Sequence, residues 1–351
     1  MRLPSLTRRA FGRLAFATGL ALSVSAPAVM AEDYSADNPL KVAFVVHGTL
    51  GDKSFLDSAA AGLKKAEAEL PVKATVIEAG SDRSRWQPAL ADVTDGDYDV
   101  IIGGTWEMTG YIAELADEYP EKKFIIFDDA PDFSGGAYPN VLAIQYRTST
   151  AAYLAGYAAA KISKTGKLGE ILGVEGSTVL EFAVGFEQGA KAANPDIEVM
   201  RSVAGSFTDP AKGKELALAQ FAQGADIVFP IAGGTGVGAL QAARDEGKLA
   251  VGVDSDQAMI FADSDPAQAD VIFTSVEKKV GDSLVTALDE TIKGTAPYGS
   301  AILLGLADGA VGISENSYYE KLVPADVRAE VKTQEDEIIS GQITVDTAMG
   351  Q

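Results

Sequence analysis

The chain has 351 residues, no cysteine, a single histidine and a formal net charge of −21. Without cysteine there can be no disulfide, thiolate metal site, cysteine nucleophile or lipid-modified cysteine. So acidic a surface also argues against nucleic acid or an anionic membrane as partner, and leaves a small neutral solute open.

Residues 1–31 read as an export signal and not as part of the fold. Arg2, Arg8, Arg9 and Arg13 form a basic start, LAFATGLALSVSA follows as a short apolar stretch, and small-residue patterns end at Ala28 and Ala31. The paired arginines in TRRAF match a twin-arginine address, with an ordinary secretory signal as the alternative. Removing these four arginines takes the net charge from −21 to −25. The remaining chain of about 320 residues suits two domains of roughly 150 each. No later segment reaches the ~20 apolar residues of a membrane helix.

The rest alternates short apolar runs with helix-period segments. KVAFVV is followed by a helix over about Ser54–Leu70, then KATVIEA, a helix through RWQPALADV, YDVIIGG, a helix TGYIAELADEY, KKFIIFDD and VLAIQY. A long helix TSTAAYLAGYAAAKIS comes next, and the pattern restarts with KLGEILGV, FAVGFEQGAKAA, IEVMRSVAG, KGKELALAQFAQG, ADIVFPIAG, GALQAARDEG and LAVGVDSD. VIFTSVEK, a helix VGDSLVTALDETIKG, a strand AILLGL and a proline-started helix PADVRAEVKTQEDEIIS complete it. The apolar runs are rich in Val and Ile and mostly do not alternate, as expected of strands buried on both faces. The predicted class is therefore α/β, with two doubly wound parallel-sheet domains joined by more than one crossing. The expected division is 40–148 with 279–312 in one lobe, and 149–278 with 313–351 in the other.

Ligands of open parallel sheets bind beyond the carboxyl ends of the strands. That rule selects HGTLGDKSF, GGTWEMTG, FDDAPD, VEGST, AGSFTDP, AGGTGVG, VDSDQ and SVEKK as the turns that carry chemistry. His47 stands in the first, as a ligand contact or as a turn residue. Phe55, Trp106 and Phe207 place aromatic rings at strand ends, where two rings can sandwich a flat heterocycle or simply anchor a helix. Gly233 and Gly234 offer amides at a strand-to-helix turn, but the run has neither P-loop nor dinucleotide spacing. In GVDSDQ a carboxylate can accept hydrogen bonds from adjacent hydroxyls. The oxygen-ligand spacing of a calcium loop is missing there and in DVTDGDYD. No metal or nucleophile set is recognisable, so neither a catalytic residue nor a cofactor is expected.

From GDKSF through KKFIIFD, and above all from SFTDP to VDSDQ and on to SVEKKV, the sequence resembles the basic membrane protein family. These are periplasmic-binding-protein-like components of ABC importers, best known for purine nucleosides. The resemblance covers the mature chain and implies a type 1 fold whose two lobes close on ligand. It places stacking phenylalanines at Phe55 and Phe207, a base-recognising acid at Asp128, a ribose-binding acid at Asp254, a sugar-contacting cation at Lys278 and loop amides at Gly233 or Gly234. Nucleoside-binding members carry an acid just after the first strand; here VHGTLGD presents His47 instead, and Trp106 enlarges the next turn.

The function implied is a monomeric periplasmic protein without lipid anchor, handing a flat heterocyclic solute such as a purine nucleoside to an ABC permease. Riboflavin is the alternative solute. The other readings are a nucleoside hydrolase using His47 with Asp52 or Asp254, and a sensor docking on a membrane receptor.

Overall fold

The computed structural model describes residues 34–349; the export signal expected over 1–31 lies outside them. The first half runs β1 (Leu40–Val46), α1 (Phe55–Glu69), β2 (Val72–Glu78), α2 (Trp86–Thr94), β3 (Val100–Gly104), α3 (Trp106–Glu118), β4 (Lys123–Phe127), β5 (Val141–Tyr146) and α4 (Thr148–Ile162). The pattern restarts with β6 (Lys167–Leu172), α5 (Ser177–Ala193), β7 (Glu198–Val203), α6 (Pro210–Ala222), β8 (Ile227–Ile231), α7 (Gly233–Glu246) and β9 (Leu249–Asp254). Then follow α8 (Gln257–Phe261), α9 (Pro266–Ala269), β10 (Ile272–Lys278), α10 (Val280–Lys293), β11 (Ser300–Leu304), β12 (Val311–Ile313), α11 (Ser317–Leu322) and α12 (Ala325–Ile339).

The strands form two six-stranded sheets, ordered β11-β5-β4-β3-β1-β2 and β12-β10-β9-β8-β6-β7. Every pairing in the first is parallel. The second is parallel except for β12, which runs antiparallel along β10. The chain passes between the sheets three times: after β5, after β10 and after β11. Both sheets belong to one compact unit.

Burial explains the sequence pattern strand by strand. The central strands β1, β3, β4 and β8 are almost entirely buried, because helices cover both faces. The edge strands β2, β7 and β11 alternate between more and less exposed positions instead. On the first sheet, α2 and α3 pack Trp86, Leu90, Met108 and Ile112 against one face, with a separate cluster of α1 and α10 on the other. The second sheet is covered likewise by α6 and α7 on one side and by α4 and α5 on the other. Among the described residues no helix is long and apolar enough to cross a membrane.

Candidate functional site

The carboxyl ends of both sheets open onto one cavity of about 590 Å³, a size typical of small-molecule sites. In each sheet the strand order reverses between the first and third strands, β1/β3 and β6/β8. The crevice left at such a reversal is where open α/β sheets hold ligand. His47, Thr105, Trp106 and Glu107 line it from the first sheet; Val174, Glu175, Ala232 and Gly233 line it from the second.

All nine residues singled out in the sequence border this one cavity: His47, Phe55, Trp106, Asp128, Phe207, Gly233, Gly234, Asp254 and Lys278. The backbone marks the same place independently. Among the described residues five non-glycine residues have positive φ, and three of them, Thr105 (69°), Asp128 (68°) and Asp254 (62°), line the cavity. Such conformations cost roughly 1–3 kcal/mol each and concentrate at functional sites.

One end of the cavity is a buried charge cluster. Lys278 ends β10, Asp254 ends β9 and Asp128 follows β4, so three strand ends deliver it. Lys278 Nζ donates to Asp128 Oδ2 at 2.9 Å and lies 3.6 Å from Asp254 Oδ1. Ser54, just before α1, donates from Oγ to Asp254 Oδ2 at 2.7 Å. Burial pushes the Asp128 carboxyl up to about 6, against the attraction of Lys278. Asp254 Oδ1 is buried and accepts no hydrogen bond.

Aromatic rings wall this cluster. The Lys278 ammonium sits 4.6 Å from the ring centre of Phe55 and 5.0 Å from that of Phe182, within cation–π range. Phe55, the first residue of α1, leans on Phe127 with ring centres 5.3 Å apart. Phe207, in the turn between β7 and α6, lies so close over Gly173 that a Cβ there would come within 2.3 Å of its ring.

The glycine run after β8 is not a free loop but the first turns of α7. Thr235 N donates to Phe207 O at 2.9 Å, and Thr235 Oγ1 accepts from Asp209 N and donates to Ser206 O. The start of α7 therefore fixes the turn that carries Phe207. The amides of Gly233 and Gly234 stand in the first turn, where no intrahelical acceptor exists.

The opposite end was only partly visible in the sequence. His47 Nε2 lies 3.7 Å from Glu107 Oε2, too far for a hydrogen bond. The imidazole meets Trp86 edge-on, with centres 5.8 Å apart. Burial lowers its pKa to about 4, so it is neutral at pH 7. Arg83 lays its guanidinium over Trp86 at 5.3 Å and over Trp106 at 5.8 Å. Trp106 in turn crosses the cavity mouth: a Cβ on Gly176, which precedes α5, would lie 3.1 Å from the indole nitrogen. Glu107, Arg83, Trp86 and Ser54 were missed. Glu107 was in view within GGTWEMTG, where an acid in the first turn of a helix has an ordinary explanation in the helix dipole. Asp52 also lines the cavity, but its carboxylate accepts the amides of Ser54, Leu56 and Asp57 and caps α1. It is thereby committed to the backbone, which removes the support for its pairing with His47.

Comparison with known proteins agrees with this architecture. The family model for PnrA-like ABC transporter substrate-binding proteins, Bmp, matches residues 40–345. The chain is 33% identical to basic membrane protein A of Borreliella afzelii over 309 residues, 87% of this chain and 91% of that protein. It is 31% identical to the CD4+ T-cell-stimulating antigen of Listeria innocua over 317 residues, 85% of each. Among solved structures, an ABC transporter solute-binding protein from Aeropyrum pernix K1 superposes with a TM-score of 0.79 at 26% identity. That match covers 88% of this chain and 94% of the other.

Proposed function

The chain belongs to the PnrA-like family of ABC transporter substrate-binding proteins, and from that premise we propose that it captures a neutral purine nucleoside between its two lobes. The observation that carries this reading is the Asp128–Lys278–Asp254 cluster set beneath aromatic rings. Two acceptor carboxylates bridged by a donor ammonium suit vicinal hydroxyls, which both donate and accept. Phe55 and Phe207, which line the same cavity, offer rings on which a flat heterocycle can stack. The 2.9 Å bond from Lys278 draws Asp128 to the hydroxyl end, so in this reading Asp128 holds the sugar and not the heterocycle edge that the family resemblance assigned to it.

Charge narrows the solute further. Five carboxylates line the cavity, from Asp52, Glu107, Asp128, Glu175 and Asp254, against the two cations Arg83 and Lys278. A phosphorylated ligand would be repelled in so acidic a pocket. The role follows from two closing lobes: ligand favours the closed form because both sheets contribute contacts, and a permease can then distinguish loaded from empty protein. The expected setting is the periplasm, with the protein acting as a monomer by binding and not by turnover.

Calorimetric titration of ligand-stripped protein with adenosine, guanosine, inosine, riboflavin and a nucleoside 5′-monophosphate tests this. A saturable heat with at least one purine nucleoside and none with the monophosphate is expected. Silence of every nucleoside at millimolar concentration overturns the assignment, and a response to riboflavin alone moves it to a larger heterocycle. Release of free base on prolonged incubation would make the protein an enzyme.

A further inference from the structure

At the end of the cavity away from Lys278, one carboxylate accepts no hydrogen bond. Glu107 lies in the first turn of α3, with its side chain only 16% exposed. Its backbone N–H donates to Thr105 Oγ1, but neither carboxylate oxygen accepts a hydrogen bond from any described residue. His47 Nδ1, on the neighbouring strand end, is likewise buried without a partner. A buried acceptor left unmatched is costly, whereas the part-exposed Glu107 oxygens remain open to a ligand. These two line the same cavity, at the reversal point between β1 and β3.

The neighbours fix how both groups are presented. Trp86 packs edge-on against the imidazole. With Glu107 facing Nε2, the tautomer that places the proton on Nε2 directs it toward the carboxylate, while Nδ1 stays buried. Burial raises the Glu107 carboxyl above its ordinary range, and Arg83, stacked on Trp86 and Trp106, is the nearby cation that partly offsets this. This end thus offers the Glu107 carboxylate as acceptor beside the Thr105 hydroxyl, the Trp106 indole and the stacked guanidinium, which can donate.

We infer that Glu107, set beside His47, is the specificity-determining acceptor for the heterocycle. The pair selects rings that present adjacent N–H donors, such as the lactam N–H and amino group of a 2-amino-6-oxopurine. A carboxylate pairs with two parallel donors in the bidentate manner it uses with guanidinium. A 6-aminopurine offers one donor next to a ring-nitrogen lone pair, which the carboxylate repels. The acid absent from the turn after β1 is in this way supplied from the turn after β3. The inference rests on the nucleoside reading above, since it presupposes a sugar held at Lys278.

The test compares guanosine and adenosine by calorimetry on wild type, Glu107→Gln and His47→Ala, each checked for an unchanged melting profile. Wild type is expected to prefer guanosine. Glu107→Gln should weaken guanosine roughly ten- to a hundredfold, as loss of a charge-assisted bond does, while adenosine holds or improves because the amide supplies a donor. His47→Ala should weaken guanosine by a smaller factor. Because His47 is the chain's one histidine, its imidazole 15N signals in tag-free protein give a second readout. The Nε2 resonance should move with guanosine, which engages Glu107, and stay with adenosine. An unchanged guanosine-to-adenosine ratio in Glu107→Gln, or a wild-type preference for adenosine, overturns the pair's role and leaves nucleoside binding standing. Silence of both nucleosides overturns the parent reading and this one with it.

Discussion

Lys278, at the end of a strand in the second sheet, donates to Asp128, just past a strand of the first, at 2.9 Å. The bond joins the two sheets at the wall of the cavity, where Lys278 is only 3% exposed. It couples the stability of the lobe arrangement to the chemistry of the site. Replacing Lys278 by Met leaves Asp128 and Asp254 as buried carboxylates without their cation. Loss of one member of a buried pair costs about 3–5 kcal/mol, so the urea midpoint of Lys278→Met should fall markedly. Adding Asp128→Asn removes one stranded charge and should restore part of that loss, while nucleoside binding stays weak in both. Equal midpoints for the single and double variants would show that the pair contributes nothing to folding.

Trp106 and Trp86 are the only tryptophans in the chain, and they differ in surroundings. Trp86 is 3% exposed within the core of the first sheet, whereas Trp106 is 38% exposed at the cavity mouth beside Gly176. A ligand that draws the lobes together must dehydrate Trp106, whereas Trp86, though it also lines the cavity, is already out of water. The ligand-induced change in tryptophan emission should therefore vanish in Trp106→Phe and persist in Trp86→Phe. Persistence in Trp106→Phe would place the moving contact elsewhere.

Much of this was legible in the sequence, for a physical reason. Strands buried on both faces must be apolar throughout, so VIIGG and KFIIF declared the central strands, and the strand-end rule then pointed to Phe55, Asp128, Phe207 and Asp254. What the chain order could not convey was lateral adjacency between strand ends. His47 and Glu107 are sixty residues apart and meet because β1 and β3 pair in parallel. The same limit hid the partnership of Asp128 with Lys278, which needs both sheets in place. The short strand β12 carried no periodic signal in three residues, and its antiparallel course along β10 depends on the last crossing. The glycine run after β8 reads as a strand-to-helix turn, and its residues already form the first turns of α7 although glycine disfavours helix, because tertiary contact prevails there. A Cβ on Gly238 would lie 1.7 Å from Pro210 O, so only glycine lets α6 and α7 approach as they do.

Burial of His47 makes a prediction about pH. Its folded pKa is lowered to about 4 from 6.5, so between those values the unfolded chain binds the proton that the native state refuses. Stability from this group is complete above pH 6.5 and is lost as pH falls toward 4, by at most roughly 3 kcal/mol. Asp128 acts in the opposite sense. Its folded pKa is raised to about 6, so the native state takes up that proton first and gains stability as pH falls through 6. The wild-type profile mixes the two, but the difference between wild type and His47→Gln isolates the imidazole. That difference should shrink steadily from pH 7 to pH 4 in chemical denaturation. A flat difference would mean that the imidazole takes up its proton as readily folded as unfolded.

The last prediction concerns the helix pair that supports the second lobe's side of the cavity. Helix α5 contributes Thr178, Val179 and Phe182 to the lining, and its position is set by close packing on α4. A Cβ on Gly189 would lie 1.9 Å from Tyr153 O, and one on Gly185 would lie 2.0 Å from Ser149 O. Both contacts are with backbone, which cannot swing aside as a side chain can. Gly189→Ala must therefore push the helices apart, and overpacking of this kind costs about 1–3 kcal/mol. The mean position of Phe182 should shift with α5, so affinity for nucleoside should fall along with the melting temperature. At Gly110, on the outer side of α3, an added Cβ meets nothing within 4 Å. Gly110→Ala should instead hold or raise stability by up to about 1 kcal/mol through helix propensity. Thermal melts and titrations of the two variants, run side by side, separate a packing requirement from a general intolerance of alanine: if both variants melt alike, the α4–α5 approach is not what the glycines serve.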